Sequence, residues 1–173
     1  IGPKFKRPDL PGADGVNVKV PMEVFGHAQE LPEKIVIMGG SETAVETGMY
    51  LCRQGKQVKL LSRQRMLASD APHAHYISML ENAYRNQPGF FYETEVKSYV
   101  SIDSDGVTYV AKDGETRQQK AALVVCATGT EPRHQAAMAF YGTAPLVRFL
   151  GDCNRAGDVH KAVVSGWSAA KML

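Results

Sequence analysis

The sequence predicts an α/β protein, a three-layer fold built on a parallel sheet with an antiparallel three-stranded meander and further segments at both ends. Three observations predict it. Residues 34–61 read as strand, Gly-rich turn, helix and strand, the alternation that builds parallel sheets. Residues 95–120 alternate across the turns Asp103-Ser104-Asp105-Gly106 and Lys112-Asp113-Gly114, as hairpin-connected strands do. Residues 121–127, AALVVCA, are apolar throughout, as expected of a strand covered on both faces.

The elements follow in order. Residues 1–33 hold Pro3, Pro8, Pro11, Pro21 and Pro32 out of 9 prolines in the chain, so extended linker and turns are expected there. Lys34–Met38 is a short β-rich run that ends in Gly39-Gly40-Ser41. A helix is expected from Glu42 to Arg53, with Ala44, Val45, Gly48, Met49 and Cys52 on one face and Gly55 just past its last turn. Gln57–Leu61 is the second strand. Asp70-Ala71-Pro72 reads as a helix start, and Ile77, Leu80, Ala83 and Tyr84 recur at helical spacing until Pro88-Gly89. Phe90–Tyr92 is a third strand. The meander is expected over Glu95–Ile102, Gly106–Ala111 and Glu115–Lys120, followed by the apolar strand Ala121–Ala127. A strand over Leu146–Leu150 and a final helix from Asp158 to Leu173, with Val159, Ala162, Val163, Gly166 and Ala170 inward, complete the reading.

Composition narrows the function classes. With 173 residues, 44% of them hydrophobic, the chain can bury one core plus an appendage. Lys and Arg number 20 against 18 Asp and Glu, and no long basic run exists, so no nucleic-acid partner is expected. No apolar run approaches the roughly 20 residues that span a bilayer, so no membrane partner is expected either. The three cysteines, Cys52, Cys126 and Cys153, are far apart and show no metal or disulfide spacing; a reduced, cytoplasmic setting is expected. The chain begins at Ile1 without an initiator Met and without a leader pattern, and so reads as a piece of a longer protein. His73 and His75, two apart, read as solvated rather than metal-binding, Cys126 as a small buried hydrophobe, and Cys153 as partly exposed.

The turn after the first strand carries the chemistry. Gly39-Gly40-Ser41-Glu42-Thr43-Ala44 approximates the dinucleotide fingerprint G-x-G-x-x-G/A. Gly39 suits the tight turn and the small Ala44 suits close packing of helix on strand; Ser41 stands where the second glycine admits pyrophosphate. Its hydroxyl could donate to a phosphate or cap the helix. Backbone N–H groups from Gly40 to Thr43, at a helix N-terminus, are a place for the pyrophosphate. At the end of the second strand, where an acidic residue would hold the ribose of NAD, stand Ser62 and Arg63, with Arg65 close by. A guanidinium pairs well with a phosphate, so these favour NADPH, with NADH remaining open. This predicts a Rossmann-like NAD(P)-binding domain.

With these residues in place, the sequence resembles the FAD-dependent pyridine nucleotide-disulfide oxidoreductase superfamily. Pro8-Asp9-Leu10-Pro11-Gly12 resembles the crossover from the FAD domain, and Gly39 to Glu46 resembles the NAD(P)H fingerprint, whose terminal Glu lies at the nicotinamide side. Ala127-Thr128-Gly129 with Pro132 resembles the segment crossing back, and Gly151-Asp152 resembles the second flavin motif, whose Asp holds the FAD ribitol. The segment from Gly151 to Val159 is similar to that of the NADH:flavin oxidoreductase group, which includes 2,4-dienoyl-CoA reductase, 2-enoate reductase and trimethylamine dehydrogenase. The resemblance implies three parts: residues 1–32 as a crossover from an FAD domain, 33–127 as the NAD(P)H-binding domain, and 128–173 as the return crossover with a C-terminal piece of the FAD domain. It implies FAD in the intact enzyme, with hydride passed to it from NAD(P)H. It implies as partners the remaining FAD domain and the FMN and iron–sulfur barrel of that subgroup, and a fragment inactive by itself. Cofactor-binding roles fall on Gly39, Gly40, Ser41, Glu42, Thr43, Ala44, Glu46, Ser62, Arg63, Arg65, Gly129 and Asp152. The chain departs from the family in Ser41, in lacking the first FAD fingerprint, and in lacking a redox-active cysteine pair, so disulfide reduction is not expected of it. A second reading stays open: a non-catalytic Rossmann-like scaffold with weakened nucleotide binding.

Overall fold

The structure, a computed structural model, describes residues 1–71 and 73–172. In chain order its elements are β1 (Lys4–Phe5), β2 (Val18–Lys19), β3 (Lys34–Met38), α1 (Glu42–Arg53), β4 (Gln57–Leu61), α2 (Ala74–Arg85), β5 (Phe90–Glu93), β6 (Ser98–Asp103), β7 (Gly106–Val110), β8 (Thr116–Lys120), β9 (Leu123–Cys126), β10 (Thr130–Glu131), α3 (His134–Met138) and α4 (Val159–Ala170), with single 3-10 turns at Pro21–Glu23, Ala28–Glu30 and Gly151–Cys153. Two compact units share the chain: Arg7–Gly129, and Ile1–Lys6 with Thr130–Leu173.

The Arg7–Gly129 unit is built on a parallel sheet in the order β2-β9-β3-β4-β5. Strands β3, β4 and β9 are nearly free of exposed positions because both faces of the sheet are covered. Alternate side chains leave β3 in opposite directions. Ile35 and Ile37 enter a cluster with Val58, Leu60, Leu123 and Val125, against Ala44, Val45, Met49, Leu51 and Cys52 of α1 and Leu80 and Tyr84 of α2. Val36 and Met38 enter a second cluster with Leu61, Val124 and Cys126, against Ile102, Val107 and Tyr109 of the meander β6-β7-β8. The three layers are therefore helices, parallel sheet and meander, as expected.

The predicted helix Glu42–Arg53 and the strands Lys34–Met38 and Gln57–Leu61 appear with those bounds. Gly55, at φ +82°, closes α1 in the left-handed conformation that glycine allows. Pro72, read as part of a helix start, lies outside the described residues, and α2 begins at Ala74. The meander's first strand begins at Ser98 rather than Glu95, because Glu95 takes a left-handed φ of +59° and breaks the extended run. Residues 1–33, expected as linker and turns, also carry β2, which pairs in parallel with β9 through Val18↔Val124 and Lys19↔Val125.

In the second unit β1 pairs antiparallel with β10. The strand expected over Leu146–Leu150 does not form: those residues find no pairing partner among the described residues, and Leu146 and Leu150 are exposed. Helix α4 forms, capped by Asp158, whose carboxylate accepts from the Lys161 N–H at 2.8 Å. Its expected inward face is not realised: none of its residues is buried, and Val159, Val163 and Trp167 are 80%, 63% and 66% exposed. The end of the predicted helix at Leu173 lies outside the described residues.

Candidate functional site

Strand order reverses direction between β3 and β9, since the chain leaves β3 toward β4 and β5 and returns to β9 on the other side. Open parallel sheets bind ligands at the carboxyl ends of the strands flanking such a point. A cleft of about 180 Å³ lies there. Its floor is Gly39, Gly40 and Ser41 after β3; its walls are Ala127, Thr128 and Gly129 after β9, Arg63 and Gln64 after β4, and Tyr99 of β6.

The glycines are there for stated reasons. Gly39 has φ +131°, and a Cβ on it would lie 2.2 Å from the Ala127 carbonyl oxygen. A Cβ on Gly40 would lie 1.9 Å from Ser62 Oγ. These two residues let the turn pass close to both neighbouring strand ends. Ser41 is extended at φ −67° and ψ 166°, and its hydroxyl accepts from the Ala44 N–H at 3.3 Å, so of the two uses open to it the helix cap is the one made.

The other predicted residues fall as follows. Glu42, Thr43 and Ala44 form the first turn of α1; the Glu42 N–H donates to Asp70 Oδ1 at 2.8 Å, and the Thr43 N–H has no partner among the described residues. Burial, with Glu46 and Asp70 as neighbours, raises the Glu42 carboxyl above its ordinary pKa. Glu46, exposed on α1, accepts from the Tyr76 hydroxyl at 2.6 Å, and this bond is the main reason the Tyr76 phenol is pushed up to about 12. Ser62 is fully buried; its Oγ accepts from the Gln64 N–H at 3.0 Å and thereby shapes the turn after β4. Arg63 and Arg65 are exposed, with no ion pair among the described residues; Arg63 borders the cleft and Arg65 does not. Gly129 borders the cleft. Asp152 belongs to the other unit, where its carboxylate accepts from the Gly157 N–H at 2.9 Å.

Two further residues were not legible in the sequence. Tyr99 lines the cleft and donates its hydroxyl to the Leu61 carbonyl at 2.7 Å; burial pushes its phenol up to about 12, partly offset by the nearby Arg63 guanidinium. Asp70 arrives from the segment after β4. Neither has a local signal, because each reaches the turn only through sheet register or loop path. Cys126 is buried, as expected, and its thiol is pushed up to about 11 by burial. Cys153 is buried rather than partly exposed; its thiol donates to the Leu150 carbonyl at 3.1 Å. His73 and His75 stack at 5.5 Å, and no group of metal-ligating residues occurs among the described residues.

A βαβ turn opening a cleft at the switch point of a parallel sheet, opposite a meander, is the architecture of a flavoprotein reductase domain. The model of the pyridine nucleotide-disulphide oxidoreductase family matches residues 1–145, so the chain belongs to that family. Among solved structures it is similar to a 2-naphthoyl-CoA reductase in complex with 2-naphthoyl-CoA, with a TM-score of 0.86 and 27% identity over 96% of this chain and 25% of that one. Among curated proteins it is 27% identical over 172 residues to the bilirubin reductase of Mediterraneibacter gnavus, covering 96% of this chain and 25% of that protein. It is 26% identical to the cinnamate reductase of Clostridium sporogenes, covering 87% and 23%. The chain thus spans about a quarter of the length of these relatives. Among the described residues no helix is long and apolar enough to cross a membrane.

Proposed function

We propose that this chain is the NAD(P)H-binding region of a flavin-dependent reductase, in which hydride passes from NADPH or NADH to FAD. The observation that carries the reading is the convergence, at one switch-point cleft of a chain of this family, of the Gly39-Gly40 turn, the Ser41 cap of α1 and Arg63, which makes no ion pair among the described residues. The residues present fit a dinucleotide: a side chain on Gly39 or Gly40 would fill the turn, and a helix N-terminus faces it. The flavin, when bound, supplies the redox chemistry, and the protein's share is binding and orientation.

In this reading the N–H groups from Gly40 to Thr43 hold the pyrophosphate. Arg63, with Arg65 beyond it, pairs with a 2′-phosphate, while the buried Ser62 fixes the turn that presents them. Tyr99 offers an aromatic wall at the same end of the cleft. Glu46 lies on the first turns of α1, toward the nicotinamide end. Asp152 is assigned to the FAD ribitol in the longer enzyme, with residues 128–173 contributing to that enzyme's FAD domain. The further partners in this reading are the remaining FAD domain and an FMN and iron–sulfur barrel of the same polypeptide, for which the greater length of the relatives leaves room.

The second reading, a Rossmann-like scaffold with weakened nucleotide binding, draws on one observation: oxygens of Ser41 and Asp70 already take two donors of the α1 N-terminus. Calorimetric titration with NADPH and with NADH separates the two. The expected result is NADPH binding at least tenfold tighter, about 1.4 kcal/mol. Equal affinities would discard the role of the arginines, and no binding of either nucleotide would favour the scaffold.

A further inference from the structure

The first turn of α1 exposes N–H donors that no helical carbonyl can satisfy. The Ser41 cap takes the one on Ala44. The one on Glu42 is taken by a carboxylate from 28 residues away, Asp70, at 2.8 Å. That carboxylate sits on a segment tied to the same turn and helix elsewhere. The Ala68 N–H donates to the Gly40 carbonyl at 2.8 Å, and the Tyr76 hydroxyl donates to Glu46 at 2.6 Å. One strap, residues 66–71, thus meets the fingerprint at its turn and at its anion end, and Tyr76 of α2 meets its terminal glutamate.

We propose that this strap is an internal competitor for the dinucleotide: the Asp70 carboxylate stands in for pyrophosphate on the α1 N-terminus and is displaced, with release of Tyr76 from Glu46, when nucleotide binds. The inference rests on the nucleotide reading above. Charge requires the displacement. Asp70, Glu42 and Glu46 already surround this helix end, and a pyrophosphate adds further negative charge within a few ångströms of them. An oxygen of the pyrophosphate and Asp70 Oδ1 also seek the same donor. A ligand-free state held closed by the strap lowers apparent affinity in proportion to the fraction that is open.

The test is titration of this chain, and of its Asp70→Asn and Asp70→Ala variants, with NADPH, together with amide hydrogen exchange with and without nucleotide. Asp70→Asn keeps an acceptor for the Glu42 N–H and loses only the charge, so it guards against a folding defect in Asp70→Ala. The expected result is affinity raised about fivefold or more in Asp70→Ala and by a smaller factor in Asp70→Asn. In the parent chain, nucleotide should slow exchange at residues 40–44 and speed it at 66–71, an opposition that a merely structural Asp70 would not produce. Parent and variants binding with equal affinity, or weaker binding by both variants, would overturn the strap while leaving the nucleotide site in place. Absence of NADPH binding in parent and variants alike would overturn both readings.

Discussion

Gly39 shows how one residue can be fixed by two separate requirements. Its φ of +131° is closed to side chains, and a Cβ would meet the Ala127 carbonyl at 2.2 Å. Gly55 has the first requirement alone, with φ +82° and nothing within 4 Å of its Cβ position. Gly55→Ala is therefore expected to cost about 1 kcal/mol and Gly39→Ala at least about 2 kcal/mol, compared as urea midpoints at equal m-value. Equal losses would mean that the close approach of the two strand ends is not what holds the turn. Tyr99 gives a second residue-scale expectation. Burial lifts its phenol from 10.0 to about 12. Because the folded pKa lies above the unfolded one, its contribution to stability is fully present below pH 10 and fades as the pH rises toward 12. Tyr99→Phe should remove one phenol from the late-titrating class, which Tyr76 and Tyr109 share, in a spectrophotometric titration. It should also cost about 1 kcal/mol by leaving the Leu61 carbonyl with one hydrogen bond fewer.

At the scale of elements, the sequence was most legible where burial is on both faces. The strands Lys34–Met38 and Gln57–Leu61 and the helix Glu42–Arg53 carry periodicities that only one packing satisfies, and they form with the expected bounds. Strand β2 was hidden because two residues have no periodicity of their own; it exists through Val18↔Val124, a pairing set by register rather than by local pattern. Leu146–Leu150 failed in the opposite sense, with β-prone residues but no neighbouring edge to pair with. Packing therefore separates elements whose apolar content looks alike. Ile37, fully buried between β4, β9 and α1, should lose about 2–5 kcal/mol on Ile37→Ala in equilibrium unfolding. Val163 of α4, 63% exposed, should change stability by no more than about 0.5 kcal/mol on Val163→Asp. A larger loss at Val163 would mean that α4 is packed in solution against a surface that leaves it bare here.

Over the whole molecule, the site was legible as a motif but not as a surface. Gly39, Gly40, Ser41 and Arg63 could be read from the βαβ spacing, and all of them border one cleft. Tyr99 and Asp70 could not, since they depend on where the meander and the strap come to rest, while for Ser41 the sequence left the cap and a phosphate contact both open. The distribution of the core adds a last expectation. Both hydrophobic clusters lie wholly within Arg7–Gly129, and outside that span the buried apolar residues among the described residues are Ala137 and Cys153. Because apolar burial is the main favourable contribution to folding, cooperativity belongs to Arg7–Gly129. A truncated chain of residues 7–129 should therefore unfold in one transition, at a urea midpoint close to that of the full chain. Its m-value should be only slightly smaller, since m follows the surface exposed on unfolding and the removed residues bury little. A truncation that is unfolded in water would place part of the core's stability in residues 130–173, and would make the proposed FAD-domain segment a structural requirement of the proposed nucleotide site.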